Sequence, residues 1–107
     1  MADKYVELFG PTPVDTTAET VFTNTSGIVT VVDFFSVANP SVSAIVVRVS
    51  IGSDDAGTRV FEHTCPAGET SFFYPRWVLT STDVLQLSAT SADDTAIAYA
   101  SGRQRVA

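Results

Sequence analysis

The segment "SAIVVRVSI", residues 43–51, decides the fold class. Ile45, Val47, Val49 and Ile51 alternate with Ala44, Val46, Arg48 and Ser50, the period of two that sends successive side chains to opposite faces of a strand. The first row reads as core and the second as a mixed or solvent-facing row. β-Branched residues dominate the stretch, and they fit a pleated, half-buried surface better than a helix.

Working outward, the same signal recurs. Short β-branched and aromatic runs return about every ten residues between clusters of Gly, Pro, Asn, Asp and Ser, and helical periodicity is almost absent. This rhythm predicts one all-β domain over residues 1–107, an antiparallel β-sandwich with jelly-roll-like or related topology and seven or eight strands. Upstream, "IVTVVDFFSVA" (28–38) is expected to turn Val29, Val31, Phe35 and Val37 inward, while Ile28, Val32 and Phe34 leave its other face apolar as well. A strand apolar on both faces calls for a second burial, from a neighbouring loop or from another subunit, and the sequence leaves both open. The link "NPSV" (39–42) has turn chemistry, so residues 28–51 are expected to form a hairpin.

Downstream, "IGSDDAGTRVF" (51–61) holds the acidic pair Asp54 and Asp55 beside Gly57. An EF-hand loop needs alternating oxygen ligands, a bidentate Glu at its twelfth position and flanking helices. None of these follows Asp54, and the flanks read as strands, so the segment is expected to be a hairpin turn without metal. In "CPAGETSFFYPRWVL" (65–79), Pro75 predicts an edge strand, a bulge or a break into two short strands. Leu85 and Leu87 are expected inward, as are Ile97 and Tyr99 after an Asp93-Asp94 turn. "DTTAE" has Thr16 and Glu19 at capping-box spacing but no apolar helical run behind it, and reads as loop.

Six Lys and Arg against twelve Asp and Glu give a net charge of −6, which opposes binding to phosphate backbones and anionic membranes. The start "MADKYVELFG" lacks the apolar core of a signal peptide, and no stretch approaches the length that spans a bilayer, so a chain made in a cytoplasm is expected. Asn24-Thr25-Ser26 matches a glycosylation sequon and reads as a turn. Cys65, the single cysteine, can form no intrachain disulfide and is expected to be a buried apolar filler.

Catalysis has little to work with. His63 is the only histidine and shares a strand face with Cys65, but a nucleophile and base also need an orienting group and oxyanion donors. Paired carboxylates in turns are poorly placed to hold two different pKa values. No catalytic, cofactor-binding or metal-ligating residue is assigned. The aromatic set Phe72, Phe73, Tyr74 and Trp77 could stack on sugar rings, yet strand parity divides it, Phe73 with Trp77 and Phe72 with Tyr74, so at least half should be ordinary core.

The turn-and-strand elements Thr23 to Gly27, Asn39, Ser50 to Gly52, Asp55 to Phe61, Pro66 to Gly68 and Val78 to Leu85 follow one another in an order that resembles small β-sandwich virion proteins of tailed bacteriophages, particularly phages of actinobacteria. Thr23-Asn24-Thr25 replaces a proline turn of that pattern, and Thr80-Ser81-Thr82 stands where a glycine-containing turn is usual. The resemblance implies a non-enzymatic structural component of the virion. It would be a capsid decoration (minor capsid) protein on the assembled shell, with a minor tail protein or a carbohydrate-binding host-adhesion module as the alternative. It also implies a homo-oligomer, often a trimer, with the major capsid protein as a further partner and no nucleic acid, membrane or cofactor. Candidate interface residues are Tyr5, Leu8 and Phe9 in an N-terminal arm (1–14), Phe34, Trp77, and Arg103 and Arg105 in a short basic tail (103–107).

Overall fold

The computed structural model describes residues 3–53, 57–90 and 96–106. The Asp54-Asp55 and Asp93-Asp94 turns lie outside the described residues. Among the described residues there are nine strands and no helix: β1 (Lys4–Pro13), β2 (Glu19–Thr23), β3 (Ile28–Asn39), β4 (Ile45–Ile51), β5 (Arg59–Cys65), β6 (Glu69–Phe73), β7 (Trp77–Leu79), β8 (Val84–Ala89) and β9 (Ile97–Val106). They form two antiparallel sheets, ordered β1-β9-β3-β6 with β7 also on β3, and β2-β8-β4-β5. If β6 and β7 are taken as one strand interrupted at Pro75, eight strands remain in jelly-roll order, the expected architecture. Of the three outcomes expected at Pro75, the break into two short strands is the one observed, and it accounts for the ninth strand.

Between the sheets, Val32, Phe35 and Val37 of β3 meet Ile45, Val47 and Val49 of β4 and Leu85 and Leu87 of β8. The alternation read from residues 43–51 holds through Val49, with Ile45, Val47 and Val49 buried; beyond it the register against β5 shifts, and Ser50, expected in the outer row, is fully buried while Ile51 packs on the core edge. Cys65 is fully buried, and burial, outweighing a hydrogen bond with Ser71, pushes its thiol above the ordinary value.

The expected hairpin over residues 28–51 does not form. β3 and β4 lie in different sheets, and residues 40–44 cross from one layer to the other. Two strands that bury one face against the same core from opposite layers have the same periodicity as two strands of a hairpin, so the pattern cannot tell them apart. Asn39 stabilises the corner: its buried carboxamide donates to the carbonyls of Ser43 (3.0 Å), Cys65 (3.1 Å) and Pro66 (3.2 Å), tying this crossover to the neighbouring one between β5 and β6. The consecutive strands that do pair with each other are β4 and β5, on either side of the Asp54-Asp55 segment.

Asn24 plays the same part at the opposite end. It is buried, donates to the carbonyls of Ile28 (2.8 Å) and Ser81 (2.9 Å), and accepts from the Thr30 hydroxyl (2.5 Å), so the sequon is a turn. Ser81 has φ +52° in the Thr80–Asp83 turn, the left-handed region where glycine is usual.

Two inward sets differ from expectation. In β3 the buried residues are Thr30, Val32, Phe35, Val37 and Asn39, while Val29 and Val31 point away from the core. The cause is a bulge: the register against β9 shifts between Val32 and Phe34, which adds Asp33 and reverses the parity. In β9 the inward residues are Ala98, Ala100 and Gly102, continuing from the buried Ala96 just before the strand, and Ile97 and Tyr99 turn outward. Small residues are needed there because Ala100 lies opposite both Phe9 and Phe35, whose rings fill that layer.

The described residues of the expected N-terminal arm (1–14) and basic tail (103–107) lie mostly in strands of the sheet. From Lys4 to Pro13 the N-terminal segment pairs with β9 as β1, and residues 103–106 complete β9 between β1 and β3. An apolar pair next to a sheet edge gains more from core burial than from solvent, and Leu8 and Phe9 are accordingly buried.

Candidate interaction surface

The bulge at Asp33 turns Phe34 outward and Phe35 inward, and the rings of the protein separate into two clusters around these neighbours. Inside, Phe35 contacts Phe9, Phe61, Phe73 and Trp77 at centroid distances of 5.3–6.5 Å. Outside, Phe34 contacts Phe72 (6.0 Å), Tyr74 (5.8 Å) and Tyr99 (6.1 Å). Parity thus divides the aromatic set as expected, with Phe73 and Trp77 in the interior cluster and Phe72 and Tyr74 on the surface.

The outer cluster continues into an apolar strip on the same sheet. Val31 of β3 lies opposite Val78 of β7 on one side and Arg103 of β9 on the other, and Arg103 lies opposite Tyr5 of β1. Exposure is high for residues of this type: 79% for Tyr5, 61% for Phe72, 74% for Tyr74 and 53% for Val78. Scattered apolar residues are normal on a protein surface, but a contiguous set on one sheet face marks an interaction site.

Charged groups flank the strip in compensated pairs. Arg103 donates from Nε to Asp33 (2.6 Å) and from Nη1 to Asp3 (3.1 Å), and Arg105 donates from Nε to Asp3 (2.8 Å). The hydrogen bond from Arg105, with the Arg105 and Arg103 charges, holds the Asp3 carboxyl below its usual range despite some desolvation. The Asp33 hydrogen bond and charge, followed by Asp3, raise Arg103 above its ordinary value. An open depression of about 460 Å³ lies between Tyr5, Asp33, Tyr74, Arg76 and Arg103. Arg76 reaches its rim from a left-handed backbone, φ +57°, in the kink that separates β6 from β7.

Of the seven candidate interface residues, Tyr5, Phe34, Arg103 and Arg105 come together on this face. Leu8 and Phe9 are core, and Trp77 belongs to the interior cluster. Tyr99, Val78 and Arg76 complete the face without having been singled out as candidates. Their signal was parity relative to Trp77 and the alanine row of β9, both readable once Pro75 is treated as a break.

The Cys-His pair takes no catalytic shape. The His63 ring packs on Phe73 (4.9 Å) and Phe61 (6.1 Å), and the Cys65 thiol points to the carbonyl of His63 at 4.0 Å rather than to its ring. Among the described residues no three His, Cys, Asp or Glu side chains are grouped to hold a metal.

No protein-family model matches the sequence. No curated protein matches it either. Two solved structures are similar in fold. A chain of the Bacillus endospore appendages, a family of disulfide-linked pili, superimposes with TM-score 0.58 and 13% identity, covering 98% of this chain and 87% of that one. A chain of infectious bursal disease virus, Gx strain, does so with TM-score 0.54 and 12% identity, covering 98% of this chain and 33% of the viral one. At such identities the likeness is one of fold.

Proposed function

We propose that the chain is a non-enzymatic structural protein of a phage virion, a decoration protein that binds the assembled shell as a homo-oligomer. The observation that carries this reading is the one-sided aromatic surface, exposed in the isolated chain although its rings are of the kind that partners bury. The jelly-roll sandwich adds support by analogy, since viral shells use this architecture repeatedly, while fold alone assigns no function.

Quantitative mass spectrometry of purified virions tests the proposal. A copy number on the scale of the shell subunits is expected. A copy number on the scale of a tail assembly moves the chain to a minor tail role, and absence from the particle removes the reading. Deleting residues 1–9 cannot serve as a test of attachment, because it strips Leu8 and Phe9 from the core.

A carbohydrate-binding host-adhesion role is the second reading, favoured by the depression in which Tyr5 and Tyr74 stand beside Asp33 and Arg76. Ring faces for stacking next to polar groups suit a sugar. Loss of glycan-array binding in Tyr74→Ala is the expected sign of it, and an array that shows no binding for the unaltered chain ends it. Trp77 fluorescence is no reporter here, because that ring packs on Phe35 and Phe61 (5.7 Å each).

A further inference from the structure

We infer that the occupant of the aromatic face is a second copy of this chain, joined face to face through Phe34, Phe72, Tyr74, Tyr99 and Tyr5; the inference rests on the structural-subunit reading and names that face's partner. Three observations favour a copy over a foreign partner. The first is charge. Asp3, Glu7 and Asp33 on this face are balanced by Arg76, Arg103 and Arg105, which are half of the chain's cations. Over the rest of the described residues Lys4, Arg48 and Arg59 stand against Asp15, Glu19, Glu62, Glu69 and Asp83. Copies of an acidic protein repel one another wherever their acidic surfaces meet, and this neutral face is where the cost of approach is least. An acidic or basic partner would call for a face of the opposite sign, which this one is not.

The second observation is size. The chain measures 46 × 25 × 16 Å, and two sheets stacked about 10 Å apart account for the shortest extent, which leaves the two longer ones to the sheet face. A stable interface takes about 800 Å² from each partner, which a face of this extent can supply. The third is composition. Tyr, Phe and Arg are the residues enriched where partners meet, and here Arg103 stands between Val31 and Tyr5 with its charge held by Asp33 and Asp3. The Asp3-Arg103-Asp33 and Asp3-Arg105 pairs are already closed within one chain, so joining two faces does not separate them.

The test is sedimentation of the purified chain and of the double variant Phe72→Glu, Tyr74→Glu. Both positions are exposed, so the fold has no need of them, and far-UV circular dichroism and the thermal melt check that it persists. The unaltered chain is expected to sediment as an oligomer at about 10 μM and to remain one at about 0.5 M NaCl, because a neutral apolar contact is little screened. The double variant is expected to weaken association about 100-fold or more. A chain that is monomeric at about 100 μM, or an oligomer that the double variant leaves intact, overturns the inference. If the variant fails to fold, hydroxyl-radical footprinting of the unaltered chain decides: Tyr5 and Tyr74 protected in concentrated but not dilute solution support the contact, and equal reactivity sinks it. Self-association through this face in a chain missing from virions would end the shell reading alone. A monomer present in shell-like copy number would end this one alone.

Discussion

The outward face of the β2-β8-β4-β5 sheet is built from the same kind of strand as the β1-β9-β3-β6 face, yet the two have opposite characters. On the former, Arg48 bonds Glu62 across β4 and β5 (2.5 Å), Arg59 stands 3.8 Å from the same carboxylate, and Gln86 bonds Thr20 across β8 and β2 (3.2 Å). Polar cross-strand pairs of this type finish a surface that meets water. On the latter, the corresponding positions hold Tyr5, Tyr99, Phe34 and Phe72. A domain that needed only to be soluble would finish both faces the first way. The difference arises from two backbone features, the bulge at Asp33 and the kink at Pro75-Arg76, which aim Phe34 and Tyr74 outward.

The strongest way to break this asymmetry is through Gly102. It lies opposite Val32 at the bulge, and a Cβ added there would stand 2.0 Å from the Val31 carbonyl oxygen, inside backbone that cannot yield. Gly102→Ala is therefore expected to push β3 off β9 and to cost about 3 kcal/mol, read as a lower denaturant midpoint in equilibrium unfolding. If the variant is as stable as the parent, the close approach at the bulge is not a requirement of the fold.

A second change acts on the corner that holds the two sheets together. Asn39→Ala takes the carboxamide donor from the carbonyls of Ser43, Cys65 and Pro66; Ser43 keeps the Ser41 hydroxyl and Pro66 the Glu69 amide, while the bond to Cys65 is lost in a buried setting. A loss of about 2 kcal/mol is expected, because buried groups stripped of a partner bear their desolvation cost. Both faces should lose stability equally in hydrogen exchange, since the corner belongs to neither. Exchange confined to one sheet would mean that the sheets are coupled elsewhere.

How far the sequence reached depends on whether a strand keeps its period. β4 does as far as Val49 and β8 as far as Leu87, and Ile45, Val47, Val49, Leu85 and Leu87 could be placed from alternation alone. β3 does not: one inserted residue at Asp33 exchanges the faces of everything before it, so Val29 and Val31 were misplaced while Phe35 and Val37 were not. β9 defeated the reading differently. Hydrophobicity ranks Ile97 and Tyr99 above Ala98 and Ala100, but volume decides which row fits beneath Phe9 and Phe35. The candidate surface was half legible for the same reasons. A second burial for β3 was expected from its two apolar faces, whereas its partners on β9 and β6 depended on registers that sequence does not carry.

Acid sharpens the comparison at the edge of the aromatic face. The Asp3 carboxyl, lowered mainly by its hydrogen bond from Arg105 and by the charges of both arginines, binds its proton less readily in the folded chain than in the unfolded one. Its contribution is therefore complete above the unfolded value of about 3.9 and disappears as pH falls through the folded value below it. Amide exchange at Lys4–Val6 should accelerate over that range more than exchange in β4. Asp3→Asn should abolish the difference, and an unchanged profile in that variant would exclude the pair as its source.

The smallest effect is expected on the polar face. Glu62→Gln removes the carboxylate that serves both Arg48 and Arg59, but the pair is solvent-exposed, with about half of the Glu62 side chain in water. Exposed ion pairs contribute little because water and salt screen them and because two long side chains must be ordered to form them. A change of about 0.5 kcal/mol or less is expected, shrinking further as NaCl is raised, and sedimentation should match that of the unaltered chain. The same loss of one charge on the aromatic face, Asp33→Asn, takes away the partner that holds Arg103 and leaves the face with one net positive charge. If self-association follows local neutrality, Asp33→Asn weakens it and Glu62→Gln does not. Equal sensitivity at the two positions would mean that the charge balance of the aromatic face has no part in what covers it.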